Sequence, residues 1–399
     1  MTTCIKIGDK FMANVTMFVW NNFINDARVL READALTEIG HSVTIIAKRE
    51  PSELKLASAE KVRDGIYVNR VTKIELPKFI LKKIKSSVLS KHLPNALLMF
   101  KMVLLGRKTN TDIYHAHDLN TLMQGIMSSK LRLKRKPLIY DSHEVQTSRT
   151  HYSFEKIYRL EKFLLKFTDH TIVENDTRAV YHADLYGTKP TAVHNYSELY
   201  DINLVDEFPL RKTYKIPEDE KVVLYQGGMQ EGRGLFKLLD AFKDIEGAKL
   251  VMIGDGKERL NLIDYHKTIG LEDRVIFIDR VPYKDLRRYT KAADIGIQFL
   301  ENTNFNHYSA SSNKMFEYIM AHVPVIGARL PEIEAVIDGQ EVGLTVEPEN
   351  TEDLREKLQN LIDDEELRNE LKNNTNVTKY VYNWDNEKDV LKKVYKKWQ

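Results

Sequence analysis

One cysteine, Cys4, stands in 399 residues. It excludes an intrachain disulfide and points to a reducing compartment. No run of about 18 apolar residues occurs, so no membrane-spanning helix is expected. The N-terminus has no basic segment followed by a long apolar run, so no secretory leader is expected. There is no Gly-x-Ser-x-Gly elbow, no Walker phosphate loop and no cysteine cluster. The histidines and carboxylates do not follow the spacing of a zinc helix or finger, so no metal is expected.

The rest of the composition is that of a folded chain of two or three domains, with 42% hydrophobic and 30% charged residues. The net charge of +2 conceals an asymmetry, since residues 1–198 carry +10 and the remainder −8. The excess is densest from Lys73 to Lys108, where nine basic residues (Lys73, Lys78, Lys82, Lys83, Lys85, Lys91, Lys101, Arg107 and Lys108) stand against one acid, Glu75. These cations alternate with Ile74, Leu76, Phe79, Ile80, Leu81 and Ile84, a pattern that fits a surface lying on an anionic leaflet. A second cluster is Lys130, Arg132, Lys134, Arg135 and Lys136. A membrane, a polyanionic acceptor or a merely solvated face all fit such patches. Nucleic acid is not expected, because no known module's interleaved aromatics accompany them.

Short β-branched runs alternate with amphipathic segments from end to end, which predicts parallel sheets with crossover helices. Strands are expected at Val15–Val19, Ser42–Ala47, Ile66–Val71, Ile113–His115, Leu138–Tyr140, His170–Val173 and Thr191–Val193. The helix over Thr177–Tyr186 is closed by Gly187. Residues 195–220, acid-rich with Pro209 and Pro217, read as a linker. A second alternation starts at Lys221. The expected division is 1–198, 199–380, and a final helix over 381–399 that crosses back to the first domain.

Four segments carry chemistry. Ser311-Ser312-Asn313-Lys314 leads into a helix whose start makes an anion site, with Lys314 adding a cation. Glu317, one turn in, can accept two hydrogen bonds from a ribose diol; a capped surface helix with a solvated Glu317 reads equally well. Gly227-Gly228 to Gly234 follows a strand, letting backbone approach phosphate, and Arg233 can bind it in a bidentate manner. A tight turn without a ligand also fits. Gly254-Asp255-Gly256 ends the next strand, where ligands of open α/β sheets bind, and taken alone it reads more readily as a simple turn. His115-Ala116-His117-Asp118 and Asp141-Ser142-His143-Glu144 end two strands of the first half, and hydrogen bonding to sugar hydroxyls suits them better than a metal.

Taken in order, these segments resemble the retaining glycosyltransferases of family 4, along nearly the whole chain. Asn25-Asp26-Ala27-Arg28-Val29 with Glu32, Ala33, Leu36, Gly40-His41 and Val43 looks like that family's opening helix and second strand. The resemblance implies the GT-B architecture: α/β, two Rossmann-like domains facing each other across a cleft. It implies that Glu317 holds the donor ribose and that Arg233 stands where a phosphate-binding Lys is usual. It further implies that His117 contacts the donor sugar and that backbone at Arg280 and Val281 meets the nucleobase. Two positions depart from the family: Ser309 replaces the first Glu of its paired-glutamate motif, and Gly228 replaces its usual Arg. Ser311, Ser312, Asn313 and Lys314 are then the candidates for the missing contacts.

The expected function is metal-independent, retaining transfer of a hexose from a nucleotide diphosphate sugar, UDP favoured over GDP. No cofactor is expected. His117, Arg233 and Lys314 are the catalytic candidates. Gly227, Gly228, Gly254, Arg280, Val281, Ser311, Ser312, Asn313 and Glu317 are expected at the donor, and Asp118, His143 and Glu144 at the sugar or acceptor. The expected partner is a glycan, lipid-linked or cell-wall acceptor, and the expected location is cytoplasmic, at the inner face of the membrane. A GT-B nucleotide-sugar 2-epimerase and a non-catalytic partner subunit are the alternatives; sugar transfer and donor hydrolysis separate them.

Overall fold

The computed structural model describes residues 12–24, 26–75, 87–149 and 152–398, with backbone only for 87–91. Cys4, Asn25, Lys78, Lys82, Lys83, Lys85 and the side chain of Lys91 lie outside the described residues. The chain forms two compact units, the first ending at Val193 and regained at Lys388–Gln399, the second His194–Glu387.

The first unit runs β1 (Asn14–Phe18), α1 (Ala27–Glu38), β2 (Ser42–Arg49), β3 (Ala59–Arg63), β4 (Ile66–Thr72), α2 (Ser87–Lys108), β5 (Ile113–His117), α3 (Leu119–Ser129), β6 (Leu138–Ser142), α4 (Phe154–Leu165), β7 (His170–Val173), α5 (Asp176–Tyr186) and β8 (Thr191–Ala192). Its sheet has the order β3-β4-β2-β1-β5-β6-β7-β8, parallel except for β3 against β4. Val15 pairs with Val43 on one side and Ile113 on the other. The chain thus leaves β1 in both directions, and the crevice beyond the strands' carboxyl ends is where such sheets bind ligands. His117 and Ser142 stand at two of those ends.

The second unit contains α6 (Leu210–Tyr214), β9 (Lys221–Gln226), α7 (Leu235–Phe242), β10 (Ala248–Ile253), α8 (Arg259–Thr268), β11 (Val275–Ile278), α9 (Tyr283–Lys291), β12 (Ile295–Gln298), α10 (Phe305–Tyr308), α11 (Asn313–Met320), β13 (Val325–Ala328), α12 (Pro331–Ile337), β14 (Gly343–Val346), α13 (Thr351–Asp363) and α14 (Glu365–Thr378). Its sheet, β11-β10-β9-β12-β13-β14, is parallel throughout, with its switch point at β9. Helix α15 (Trp384–Tyr395) ends in the first unit, where Lys388 and Lys392 both donate to Glu38.

The stretch read as a linker is largely part of the second unit. Tyr196, Ile202, Leu210 and Ile216 are buried in its core, because apolar side chains spaced along a polar segment still gain by burial. Helix α2 was not expected: its composition is mixed and Pro94 lies inside it. Leu98 and Met102 nevertheless belong to the core, while Phe100 and Leu104 are exposed, so this part of the basic stretch is half core and half surface. Strands β3 and helices α10 and α12 were also missed, being short. No helix among the described residues is long and apolar enough to cross a membrane.

Two turns of the second unit touch through backbone. Gly227 N–H donates to Ile253 O, and Gly254, at φ +148°, would place a Cβ only 1.9 Å from the Gly227 carbonyl oxygen. Gly254→Ala should therefore lose about 1–3 kcal/mol or more of stability in chemical denaturation. Gly270→Ala, at φ +75° but facing open space, should lose only about 1 kcal/mol. Equal small losses for both variants would refute the close approach.

Candidate active-site clusters

In the second unit, β9 delivers Tyr225 and Gln226 to the edge of the sheet, and Gly227 and Gly228 follow in the open. The Tyr225 hydroxyl donates to the Gly228 carbonyl at 2.7 Å. Lys314 Nζ sits 4.0 Å from the centre of the Tyr225 ring, and a Cβ on Gly227 would lie 3.4 Å from Lys314 Cε and Nζ. The Lys314 side chain is buried, and among the described residues no oxygen accepts a hydrogen bond from its amine. Burial, and then the nearby Arg233 charge, hold its pKa well below the ordinary lysine value. Arg233 is half-buried with no acidic partner among the described residues. The Lys314 amine and the Arg233 guanidinium thus converge on a glycine-lined backbone, with Glu317 the carboxylate that acts on Lys314 in the opposite sense.

Ser312 occupies the N-cap of α11, yet its hydroxyl does not bond to the helix, so it leaves the first N–H groups unclaimed by that side chain. Ser311 is buried and Asn313 exposed beside it. Glu317 is held from below: Gln226 Nε2 donates to its Oε2 at 2.6 Å, and Thr290 Oγ1 donates to Gln226 Oε1 at 2.8 Å. Glu317 also lines a small pocket with Tyr200, Tyr283, Arg287 and Thr290. Arg287 lies 4.3 Å from the centre of the Tyr200 ring and pairs with Glu198 at 3.0 Å. Gln226, Thr290 and Tyr225 escaped the sequence reading. The available signal was a glutamine closing an otherwise apolar buried strand, which must find partners. Arg280 is exposed after β11, with no hydrogen bond or ion pair from its side chain to this cluster among the described residues, while Val281 packs on the core.

Ser309, at the first departure from the family, is fully buried and donates to Phe305 O at 2.7 Å, capping α10 from within. Its hydroxyl is spent on the fold. Gly228 contributes its carbonyl to Tyr225 instead of a side chain.

In the first unit the strand ends and α1 enclose a buried charge cluster. Arg28 donates to both oxygens of Asp141, at 3.0 and 3.2 Å, and its Nε donates to Glu32 at 3.0 Å. His117 Nδ1 lies 3.1 Å from His143 Nε2 and 3.6 Å from Asp141 Oδ2. His115 stacks on His117 with ring centres 4.2 Å apart, and its Nδ1 meets the Tyr395 hydroxyl at 2.7 Å. Burial works against the Asp141 charge, but Arg28 and His143 hold that carboxyl well below its usual range. Burial, then the Asp141 charge, push Glu32 up to about 8. Burial lowers His143, and the Asp141 carboxylate outweighs it, leaving the ring at about 9. Burial and the neighbouring His115 hold His117 well below 6.5. A protonated His143 that donates to Nδ1 of a neutral His117 puts the His117 proton on Nε2. That Nε2 has no hydrogen-bond partner among the described residues.

Asp118 and Glu144, expected at the sugar or acceptor, are engaged with their own loop. Asp118 Oδ1 accepts from His143 N–H and from Gln146, both at 3.1 Å, and Glu144 pairs with Arg149 at 2.8 Å. Asp118 bends the chain at φ +64° to do so.

Residues 206–377 match the family model for glycosyl transferases group 1, and residues 27–195 match glycosyltransferase family 4. The chain belongs to this glycosyltransferase family. It is 24% identical over 344 residues to N-acetyl-alpha-D-glucosaminyl L-malate synthase of Bacillus anthracis, covering 83% of this chain and 82% of the relative. It is 24% identical over 379 residues to an uncharacterized glycosyltransferase of Methanocaldococcus jannaschii, covering 91% and 92%. In fold it is similar to sucrose-phosphate synthase from Thermosynechococcus elongatus, with a TM-score of 0.77 and 17% identity over 96% of this chain and 98% of that one. HepE of Anabaena, solved in complex with UDP, gives 0.75 and 16% over 97% and 100%. The two parallel-sheet α/β domains are those of GT-B glycosyltransferases.

In this glycosyltransferase, ligand atoms of Glu32, His115, His117 and Asp141 lie within 4.8 Å of one another, a set whose chemistry could hold a divalent metal. Arg28 already takes both Asp141 oxygens, and His143 lies 3.3 Å from one of them. A cation entering there would have to displace that pairing, so the residues fit a metal poorly.

The cluster fixes a pH dependence. His143 is raised from 6.5 to about 9, and Glu32 from 4.5 to about 8. Groups raised on folding stabilise fully below their unfolded values and lose that contribution as pH rises through the folded ones. The melting temperature should fall from pH 6.5 to 9, and His143→Gln should show a shallower fall. Parallel profiles for the two proteins would refute the His143 assignment.

Proposed function

We propose that this glycosyltransferase moves a hexose from a nucleotide diphosphate sugar to an acceptor in surface polysaccharide or glycoconjugate synthesis, with retention at the anomeric carbon and without a metal. The observation that carries the reading is the Lys314 amine, buried against the Gly227 backbone and the Tyr225 ring with no anion hydrogen-bonded to it among the described residues. A diphosphate supplies that anion, shared with Arg233 and the first N–H groups of α11. Glu317, steadied by Gln226, accepts from the ribose diol. The aromatic-walled pocket beside Glu317 is the place for the base. Support for uridine comes from HepE, whose structure was solved with UDP.

In the reaction the bond from the anomeric carbon to the phosphate oxygen breaks, and its electron pair leaves with the nucleotide diphosphate. The acceptor hydroxyl bonds to the same face of that carbon, and its proton passes to a leaving-phosphate oxygen. Arg233 and Lys314 stabilise the charge that grows on the phosphate, where preorganised cations contribute most. His117 offers its Nε2–H to a donor-sugar hydroxyl. No side chain is assigned as a nucleophile. The acceptor is a glycan, lipid-linked or cell-wall molecule, and the reaction is placed in the cytoplasm, at the inner face of the membrane.

Calorimetry with UDP-glucose tests the donor site. Glu317→Gln should remain folded and lose about 1.5–3 kcal/mol of donor affinity, the worth of charge-assisted hydrogen bonds. Unchanged affinity would remove the ribose assignment.

Turnover should also survive EDTA, because Arg233 and Lys314 supply the positive charge at the phosphates. Complete loss, restored by Mn²⁺ or Mg²⁺, would overturn the metal-free mechanism.

A further inference from the structure

The loop between α3 and β6 reads Lys130-Leu131-Arg132-Leu133-Lys134-Arg135-Lys136. Leu131 is 59% exposed and Leu133 fully so, at 110%. A lone exposed leucine needs no explanation. These two alternate with cations, and a second apolar edge stands beside them. On α4 and just after it, Leu160, Phe163 and Phe167 are 44%, 54% and 37% exposed, with the two phenylalanine rings 5.4 Å apart. The loop and this edge are fastened together: Lys130 Nζ bonds the carboxylate of Asp169, two residues beyond Phe167, and Asp169 Oδ2 accepts from Leu138 N–H at 2.7 Å.

The acids around this face are already matched. Asp169 is paired with Lys130, Asp112 with Lys136 at 3.1 Å, and Glu155 with Arg159 at 2.6 Å. Glu161 is buried under the hydroxyls of Tyr140 and Tyr186. Lys134, Arg135, Lys156 and Lys166 have no acidic partner among the described residues. The surplus is positive and is mixed with uncovered apolar tips.

We propose that this face of the first unit docks on an anionic lipid bilayer, the leucines and phenylalanines entering the interface and the unpaired cations meeting the headgroups. A soluble polyanion would use the cations but leave Leu131, Leu133 and Phe163 in water. A bilayer surface satisfies both, because its interface is apolar a few ångströms below its charge. The face uses no residue of either candidate active-site cluster, and it adjoins the end of the 73–108 stretch, since Arg132 donates to the Tyr114 hydroxyl, which donates to Gly106 O at 2.9 Å. Its purpose is to hold the enzyme where acceptors are lipid-linked, and that purpose rests on the proposed function; the docking itself does not.

The test is co-sedimentation of the full chain with phosphatidylcholine vesicles, with and without phosphatidylglycerol, at low and high salt. Wild type should bind the anionic vesicles roughly tenfold or more tightly than the neutral ones. Lys134→Glu with Arg135→Glu should abolish that preference. Leu131→Ser with Leu133→Ser should weaken binding and leave the remainder fully salt-sensitive. UDP-glucose binding by both variants, measured by calorimetry, should match wild type; this also reports that they fold and separates docking from the transfer reaction. Equal negligible binding of wild type to both vesicle types overturns the proposal, as do variants that bind like wild type. Binding to dextran sulfate without binding to vesicles would assign the face to a soluble polyanion and also overturn it.

Discussion

The ion pair between Arg28 and Asp141 stands at the centre of the first unit's buried charge cluster. Two carboxylates, Asp141 and Glu32, are buried within reach of one guanidinium. Both cannot keep a full charge there, since the second would face the first across a poorly screened gap. Arg28 and His143 keep Asp141 charged against its burial, while burial and then the Asp141 charge raise Glu32 although Arg28 also donates to it. The Asp141 charge in turn keeps His143 protonated, and His143 presses the proton of His117 onto its far nitrogen. His117 lies directly opposite Asp141 in the ladder of β5 and β6, so this ion pair acts on it from the neighbouring strand. Removing one partner of such a pair leaves a buried charge uncompensated, typically a loss of about 3–5 kcal/mol.

The second unit shows the opposite arrangement. Lys314 is buried as deeply as Arg28, yet it meets an aromatic ring and a glycine backbone where Arg28 meets carboxylates. A buried amine that no anion hydrogen-bonds is costly to charge, and folded proteins tolerate it where a ligand completes the site. The glycines serve the same end, because side chains at Gly227 or Gly254 would fill the space beside the amine or collide with the neighbouring turn. Gln226 adds rigidity: by occupying one oxygen of Glu317 it fixes the direction of the carboxylate. The unit's excess of acid lies elsewhere on its surface, and the +10 and −8 halves of the chain reflect different surfaces more than different sites.

Much of the fold was legible because parallel α/β structure is written in local periodicity. The run Lys221–Gln226 and the run Val275–Ile278 are strands over the expected residues, and Gly187 closes α5 in the left-handed conformation expected of it. Boundaries slipped where burial decided them: β5 runs on to His117 and β6 to Ser142, since polar residues at strand ends continue the ladder when partners lie beside them. Helix α2 and the edge strand β3 were illegible, one interrupted by Pro94, the other polar and antiparallel.

The sequence by itself determined the order of strands and helices, the glycine turns after β9 and β10, and which residue types stand at the strand ends. It also placed Lys314 and Glu317 on one helix start. The tertiary structure alone decided what those residues do to one another. His115 and Tyr395 meet across 280 positions, and Arg28 and Asp141 across 113. Gln226 and Glu317, 91 apart, meet because β9 lies beside β12 and α11 packs against that edge. Strand order and register bring such groups together, and a proton's location depends on the charges within a few ångströms of it. Neither distance nor dielectric surroundings are encoded in any short stretch of chain.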